Sequence, residues 1–195
     1  MNNNKFLHLI TKVLGGITLA MTASSAFADA TLEYKLALAE DGKTYQVWMK
    51  PAATPKPDIS LTGQVTIKAP TDAKFAPKNV TSTVEGINWV AASRVDAPKE
   101  DAASDYLSFS FVGLQGTSSR NYAWEKGEEK LVFSFENEGG CVDGVTLMAD
   151  DDAFNTASPN SANTNPGNQF TNLGWGAVSE NHYKGNYGEA VSCKK

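Results

Sequence analysis

The sequence is poor in the residues that most often carry chemistry. Its 195 residues include two histidines, His8 and His182, two cysteines, and two arginines, Arg94 and Arg120. A Ser-His-Asp triad needs a nucleophile held against an imidazole. His182 lies in a glycine-rich tail and reads as a surface residue, and no G-x-S-x-G elbow occurs. No G-x-x-x-x-G-K loop is present to cradle phosphates. Basic charge is scarce too, with a formal net charge of −5. Nucleic acid is therefore excluded as a partner, because phosphate binding needs clustered Lys and Arg. Long apolar runs are lacking beyond Val13–Met21, which is too short to cross a hydrocarbon core of about 30 Å.

What is there begins with residues 1–28. Lys5 and Lys12 precede the apolar run, and small residues end in Ala26-Phe27-Ala28. That is the layout of a bacterial-type secretory signal peptide with an A-x-A cleavage site. The expected mature protein is one domain, residues 29–195, secreted to the periplasm, the cell surface or the medium. Loss of Lys5 and Lys12 takes its net charge to −7, and one histidine remains. The C-terminal Ser192-Cys193-Lys194-Lys195 carries no anchor signal, so no membrane insertion is expected after cleavage. Cys141 and Cys193 both fall in the mature part, and an exported chain with two cysteines most simply forms one disulfide. Closing a loop of about 50 residues stabilises by about 4 kcal/mol in the chain-entropy model. The bridge is expected to tie the last residues to the region near 131–135.

Hydrophobic periodicity predicts short strands throughout. Leu32, Tyr34, Leu36 and Leu38 alternate with polar or small residues, as do Tyr45, Val47 and Met49, with the turn signal Asp41-Gly42 between them. Residues 31–49 therefore read as a hairpin. Pro51, Pro55 and Pro57 then mark a stiff loop. Leu61 to Lys68 alternates again and ends at Ala69-Pro70-Thr71. Further strands are expected at 79–84, 87–92, 106–112, 130–136 and 144–149. Leu107, Phe109 and Phe111 share one face, Leu131, Phe133 and Phe135 another, and these six are the expected heart of the core. Residues 150–168, rich in Asp, Ser, Asn and Pro, read as a surface excursion of the length that is often functional. The pattern predicts an all-β protein, an antiparallel β-sandwich of about eight or nine strands.

Two groups of residues stand out as candidate sites. Asp150-Asp151-Asp152, with Asp143 and Asn155 nearby in sequence, supplies hard oxygen donors that suit Ca²⁺. The alternative is a solvated acidic loop, since the EF-hand spacing is missing. Trp124, Trp175, Tyr183 and Tyr187 lie near glycines or charges, outside the strand alternation. Exposed rings there can stack on a glycan or anchor a protein partner; otherwise they close the ends of the core. A carboxylate hydrolase, with two acids about 5–10 Å apart, is a further alternative. Asp105, Glu125, Glu128 and Glu136 read as solvated or near turns. The sequon Asn79-Val80-Thr81 fits a surface position.

Several segments together carry a resemblance: Gly63-Gln64-Val65-Thr66-Ile67, Asp105-Tyr106-Leu107-Ser108-Phe109, Phe133-Ser134-Phe135-Glu136-Asn137 with Gly140-Cys141, Asn165-Pro166-Gly167-Asn168-Gln169 and Gly185-Asn186-Tyr187-Gly188. Their order resembles a cohesin-like or adhesin-like β-sandwich module of bacterial extracellular proteins. The resemblance implies an Ig-like or cohesin-like jelly roll without catalytic residues, used in binding, cell adhesion or extracellular assembly. It is also consistent with a Cys141–Cys193 bridge. The implied partner is an extracellular protein, a glycan or a second copy of the chain.

Overall fold

The computed structural model describes residues 31–112 and 122–193. The expected signal peptide and its cleavage site, Arg120, and Lys194–Lys195 lie outside the described residues. Ten strands follow in order: β1 (Leu32–Leu38), β2 (Thr44–Pro51), β3 (Ser60–Pro70), β4 (Pro77–Ser82), β5 (Val90–Asp96), β6 (Ser104–Val112), β7 (Lys130–Asn137), β8 (Thr146–Leu147), β9 (Gln169–Asn172) and β10 (Tyr183–Asn186). A single helical turn, α1 (Ala153–Thr156), lies between β8 and β9. One sheet runs β10-β1-β2-β7-β4, the other β5-β6-β3-β8, with β9 also pairing β3. The two sheets form a β-sandwich. The expected all-antiparallel pattern needs one correction: β1 and β10 pair in parallel, Glu33 opposite Gly185.

The first hairpin turns where the sequence says it does. Asp41 accepts hydrogen bonds from the backbone N–H of Lys43 and Thr44 at 2.8 and 2.9 Å and from the Thr44 hydroxyl at 2.6 Å. Such self-bonding is why Asp starts turns. Those bonds also hold its carboxyl down to about 2.

Between the sheets, Tyr34, Tyr45, Val47, Val65, Ile67, Phe109, Phe133 and Phe135 are all at most 1% exposed. Phe135 stacks on Tyr45 at 5.2 Å and on Phe109 at 4.8 Å, joining the two sheets through rings. Five of the six expected core residues are buried; Leu131 is half-buried instead. A bulge is the cause. Val47 pairs with Phe133 but Trp48 with Leu131, so β7 carries one extra residue, Val132. The extra residue shifts the phase of the strand; Val132 turns into the core and Leu131 out of it.

Residues 150–168 depart from the expected surface excursion. They lie over the outer face of the second sheet and bury part of themselves there. Phe154 is fully buried, its ring 4.7 Å from that of Tyr106, with Met148 in the same small cluster. The polar content of the segment is used in bonding. Asn168 accepts from the Thr66 N–H at 2.8 Å and donates to the Met148 carbonyl at 2.9 Å. The Thr66 hydroxyl donates to the Pro166 carbonyl at 2.6 Å, and Gln64 donates to the carbonyls of Asn165 and Gly167 at 3.0 and 2.8 Å. Buried polar groups matched in this way avoid the desolvation penalty that would otherwise unfold the segment.

The disulfide forms, with 5.7 Å between the Cα atoms of Cys141 and Cys193. Cys141 lies just beyond β7, so the anchor is past the strand rather than within it. Hydrogen bonds from Gly144 N–H to Val191 O at 3.0 Å and from Val191 N–H to Val145 O at 2.9 Å lay the tail beside β8. Among the described residues, no helix is long and apolar enough to cross a membrane.

Candidate functional site

The strongest candidate is the short connection from β9 to β10, residues 173–182. Asn172, fully buried, fixes its start. The Asn172 amide donates to Asp58 at 2.8 Å and to the Ser60 hydroxyl at 3.0 Å, and its oxygen accepts from Gly174 N–H at 2.8 Å. Gly174 is wedged against the proline-rich loop: a Cβ there would lie 2.2 Å from the Pro57 carbonyl oxygen and 2.4 Å from the Lys56 nitrogen. Only glycine fits so close an approach. The Trp175 indole N–H donates to the Ala53 carbonyl at 2.8 Å. The far side closes in a tight turn, with Ala177 N–H donating to the Glu180 carboxylate at 2.7 Å and Glu180 N–H to Ala177 O at 3.1 Å.

Held this way, the connection exposes apolar surface. Leu173 is 37% exposed and Val178 65%, two of the three exposed large hydrophobics among the described residues. Trp175 is half-buried between them and the core. The connection thus carries two exposed branched aliphatic side chains beside a half-buried tryptophan whose indole is hydrogen-bonded to Ala53.

His182 ends the connection, and the expectation of a surface histidine is corrected: it is fully buried. Its backbone accepts from the N–H groups of both Thr31 and Leu32 at 2.8 Å, joining β10 to the start of β1. Nδ1 accepts from the Asn172 N–H at 3.2 Å, which assigns the ring proton to Nε2. Nε2 has no hydrogen-bond partner and lies 3.9 Å from a Glu180 carboxylate oxygen. Burial lowers the imidazole pKa below its ordinary 6.5, against the opposing pull of Glu180.

Of the four aromatic candidates, the structure brings two together. Trp124 and Trp175 have centroids 6.1 Å apart, with Phe170 completing the cluster at 6.0 and 6.1 Å. Trp124 is 1% exposed, so its expected role as an exposed ring is corrected: it is core beneath Trp175. Tyr183 is corrected likewise. It is 7% exposed, packs on Tyr34 at 4.6 Å and donates to Asn186 at 2.7 Å. Tyr187 is half-buried on the open face of the first sheet, where Lys50 lies 4.1 Å and Lys35 5.3 Å from its ring centre. Burial first, then the Glu129 charge, raises the Tyr187 pKa. The four rings therefore form no row for stacking on a sugar chain. Trp48 was missed as a surface aromatic. It stands in the outward phase of β2, beside Gln46 at 3.3 Å and Lys35, and that phase was the available signal.

The acidic candidates are dispersed. Asp152 caps α1 by accepting from Phe154 N–H at 2.9 Å, and also accepts from the Tyr106 hydroxyl at 2.8 Å and from Lys68 Nζ at 2.7 Å. Its charge is thereby balanced by the Lys68 ammonium. Asp150 and Asp151 are exposed; the Asp150 carbonyl accepts from the Asn155 amide at 2.9 Å. Asp143 lies at the tail, accepting from Cys193 N–H at 2.7 Å. Among the described residues, no group of three or more His, Cys, Asp or Glu is arranged to hold a metal ion.

Two carboxylates converge on Lys68. Lys68 Nζ lies 2.7 Å from both Asp101 and Asp152, and the Tyr106 hydroxyl lies 3.0 Å from Asp101. The hydrogen bond from Lys68 outweighs burial and holds Asp101 down to about 2. Burial lowers the Lys68 pKa, but its bonds to the two aspartates outweigh this and leave it raised. A general acid needs the opposite, a carboxyl raised toward neutrality. The cluster is an ionic clasp that holds residues 150–168 to β3 and β6. Asp105, expected to be solvated or near a turn, follows the turn before β6, is 2% exposed, and accepts from Arg94 at 2.8 Å and Thr71 at 2.9 Å.

No family model matches the chain. No curated protein matches it. Among solved structures, it is similar to a chain of a dockerin–cohesin complex, with 10% sequence identity and a TM-score of 0.42, over 83% of this chain and 99% of that chain.

Proposed function

We propose that the protein is a secreted, non-catalytic β-sandwich that binds another protein outside the inner membrane, in adhesion or assembly, with the Leu173–Val178 connection as its contact surface. The observation that carries this reading is the exposure of Val178 and Leu173 on a segment pinned by Asn172, Gly174 and Trp175. A pre-ordered apolar projection loses little entropy on docking. The leader pattern and the disulfide support an oxidising compartment.

The test uses purified protein beginning at Asp29. Binding is measured to intact cells, to isolated envelope proteins, to a glycan array and to the protein itself. Saturable binding to a protein surface, unaffected by free sugars, is the expected result. Binding confined to the glycan array contradicts the reading, as does no binding to any of the four.

A further inference from the structure

We propose that His182 is an acid-operated latch for the connection between β9 and β10: on taking up a proton, its ring lets go of Asn172 and captures the Glu180 carboxylate from the turn that presents Val178. That this switches contact on and off rests on the reading of the Leu173–Val178 segment as a contact surface; the exchange of bonds does not.

The latch sits where the two ends of the connection meet. Nδ1 of His182 accepts the Asn172 N–H at 3.2 Å, so the neutral ring carries its one hydrogen on Nε2. The imidazolium carries a hydrogen on both nitrogens. A proton at Nδ1 then faces the Asn172 N–H, donor against donor, and that bond is lost. The backbone of His182 does not depend on the charge of its ring. Its N–H donates to the Phe170 carbonyl at 2.7 Å, and its carbonyl accepts from Thr31 and Leu32 at 2.8 Å. The residue therefore stays in the sheet while the ring changes partners.

The other ring nitrogen supplies the pull. Nε2 is buried without a hydrogen-bond partner, 3.9 Å from Oε2 of Glu180. That same oxygen accepts the Ala177 N–H at 2.7 Å. A charge-assisted N–H to carboxylate bond is about 2.7–2.9 Å long, so a shift of about 1 Å brings the carboxylate onto the imidazolium and off Ala177. Val178 lies inside that turn, and its position depends on the bond given up. Glu180 is the charge the ring meets. Trp175 packs on the imidazole at 5.9 Å and carries none. Asp58, beyond Asn172, is turned to the Asn172 amide at 2.8 Å and the Trp124 N–H at 3.1 Å. Lys184, further along β10, is turned to Glu33 at 3.6 Å, and the buried Tyr34 and Tyr183 pack on each other. Burial makes the ring resist protonation at neutral pH, and Glu180 limits that resistance. The contact is thus presented near neutral pH and withdrawn in acid.

The experiment is an NMR titration of nitrogen-labelled protein beginning at Asp29, in which His182 is the single histidine, from about pH 8 to about pH 4, across the imidazole range. The ring is expected to carry its hydrogen on Nε2 at the top of the range and to protonate at Nδ1 with a midpoint below 6.5. The amide signals of Asn172 and Ala177 are expected to move with that midpoint, and binding to cells to fall with it. Glu180→Gln is expected to lower the midpoint and to leave the Ala177 amide still, while Asn172 moves as before. His182→Gln is expected to abolish both shifts; if it folds poorly, Glu180→Gln decides alone. Asn172 and Ala177 amides that ignore the His182 midpoint overturn the inference, as does a ring that stays neutral until the protein unfolds. Both shifts in a protein that binds nothing at any pH keep the latch and sink the contact reading. Binding equal at both ends of the range, with both shifts present, overturns the regulation.

Discussion

Two connections in this protein look, in sequence, the opposite of what the structure makes of them. Residues 150–168 are long, polar and rich in Asn, Ser and Pro, yet they are a structural cover. Residues 173–182 are short and start from a strand end, yet they present the most exposed large hydrophobic side chain among the described residues, Val178. The difference lies in where the backbone polar groups go. In the long segment, Asn160 donates to the carbonyls of Phe154 and Thr164 at 3.2 and 2.9 Å, and Asn168 and Thr66 lock it to β3. In the short one, the anchors sit at its two ends and under Trp175, and the tip is left to solvent. Loop length and polarity alone do not separate a buried cover from an exposed tip; bonding does.

The largest effect that would sharpen this contrast is Phe154→Ala. Phe154 is the apolar pin of the cover, and its loss should cost about 3–5 kcal/mol in urea unfolding; a cost near zero would show the cover to be dispensable. Asn168→Ala comes next. It leaves the buried Thr66 N–H without its acceptor, while the Met148 carbonyl still accepts from Asn186 at 2.9 Å. The expected cost is about 1–3 kcal/mol, read by the same unfolding curves.

Acid should loosen the short connection before it touches the cover. The unfolded chain protonates His182 near 6.5, the folded chain only at lower pH. Between those values the unfolded state holds the extra proton, so stability is full above 6.5 and falls as pH drops through the folded value. Asp101, held down to about 2 from 3.8, acts only in the more acidic window below 3.8. Melting temperature followed against pH should therefore decline first in the His182 window, and His182→Gln should flatten that part of the curve. The smallest effect on stability is expected from Val178→Asp, within about 0.5 kcal/mol of wild type.

Most of the fold was legible because its strands alternate strictly. The hairpin at 31–49, the long strand ending at Pro70 and the faces of Phe109 and Phe135 all follow from a period of two. Leu131 was misplaced because a bulge is a pairing event that no single strand reveals. β9 and β10 went unread because four-residue strands give too little periodicity. The site was legible only in part. Trp175 stood out by its glycine neighbours, but Trp124 looked the same in sequence and is core, since burial depends on Phe170 and Trp175 arriving from elsewhere in the chain. His182 looked like a tail residue because its partners, Asn172 and the start of β1, meet it only in the folded sheet. The three aspartates at 150–152 gave no sign that Lys68, more than eighty residues earlier, balances one of them.

The central claim, that the 173–178 projection serves contact rather than folding, is tested most directly by measuring cell-surface and self-binding of Val178→Asp beside its unfolding free energy. Unchanged stability with binding lost is the predicted result. Binding equal to wild type at unchanged stability would contradict the account.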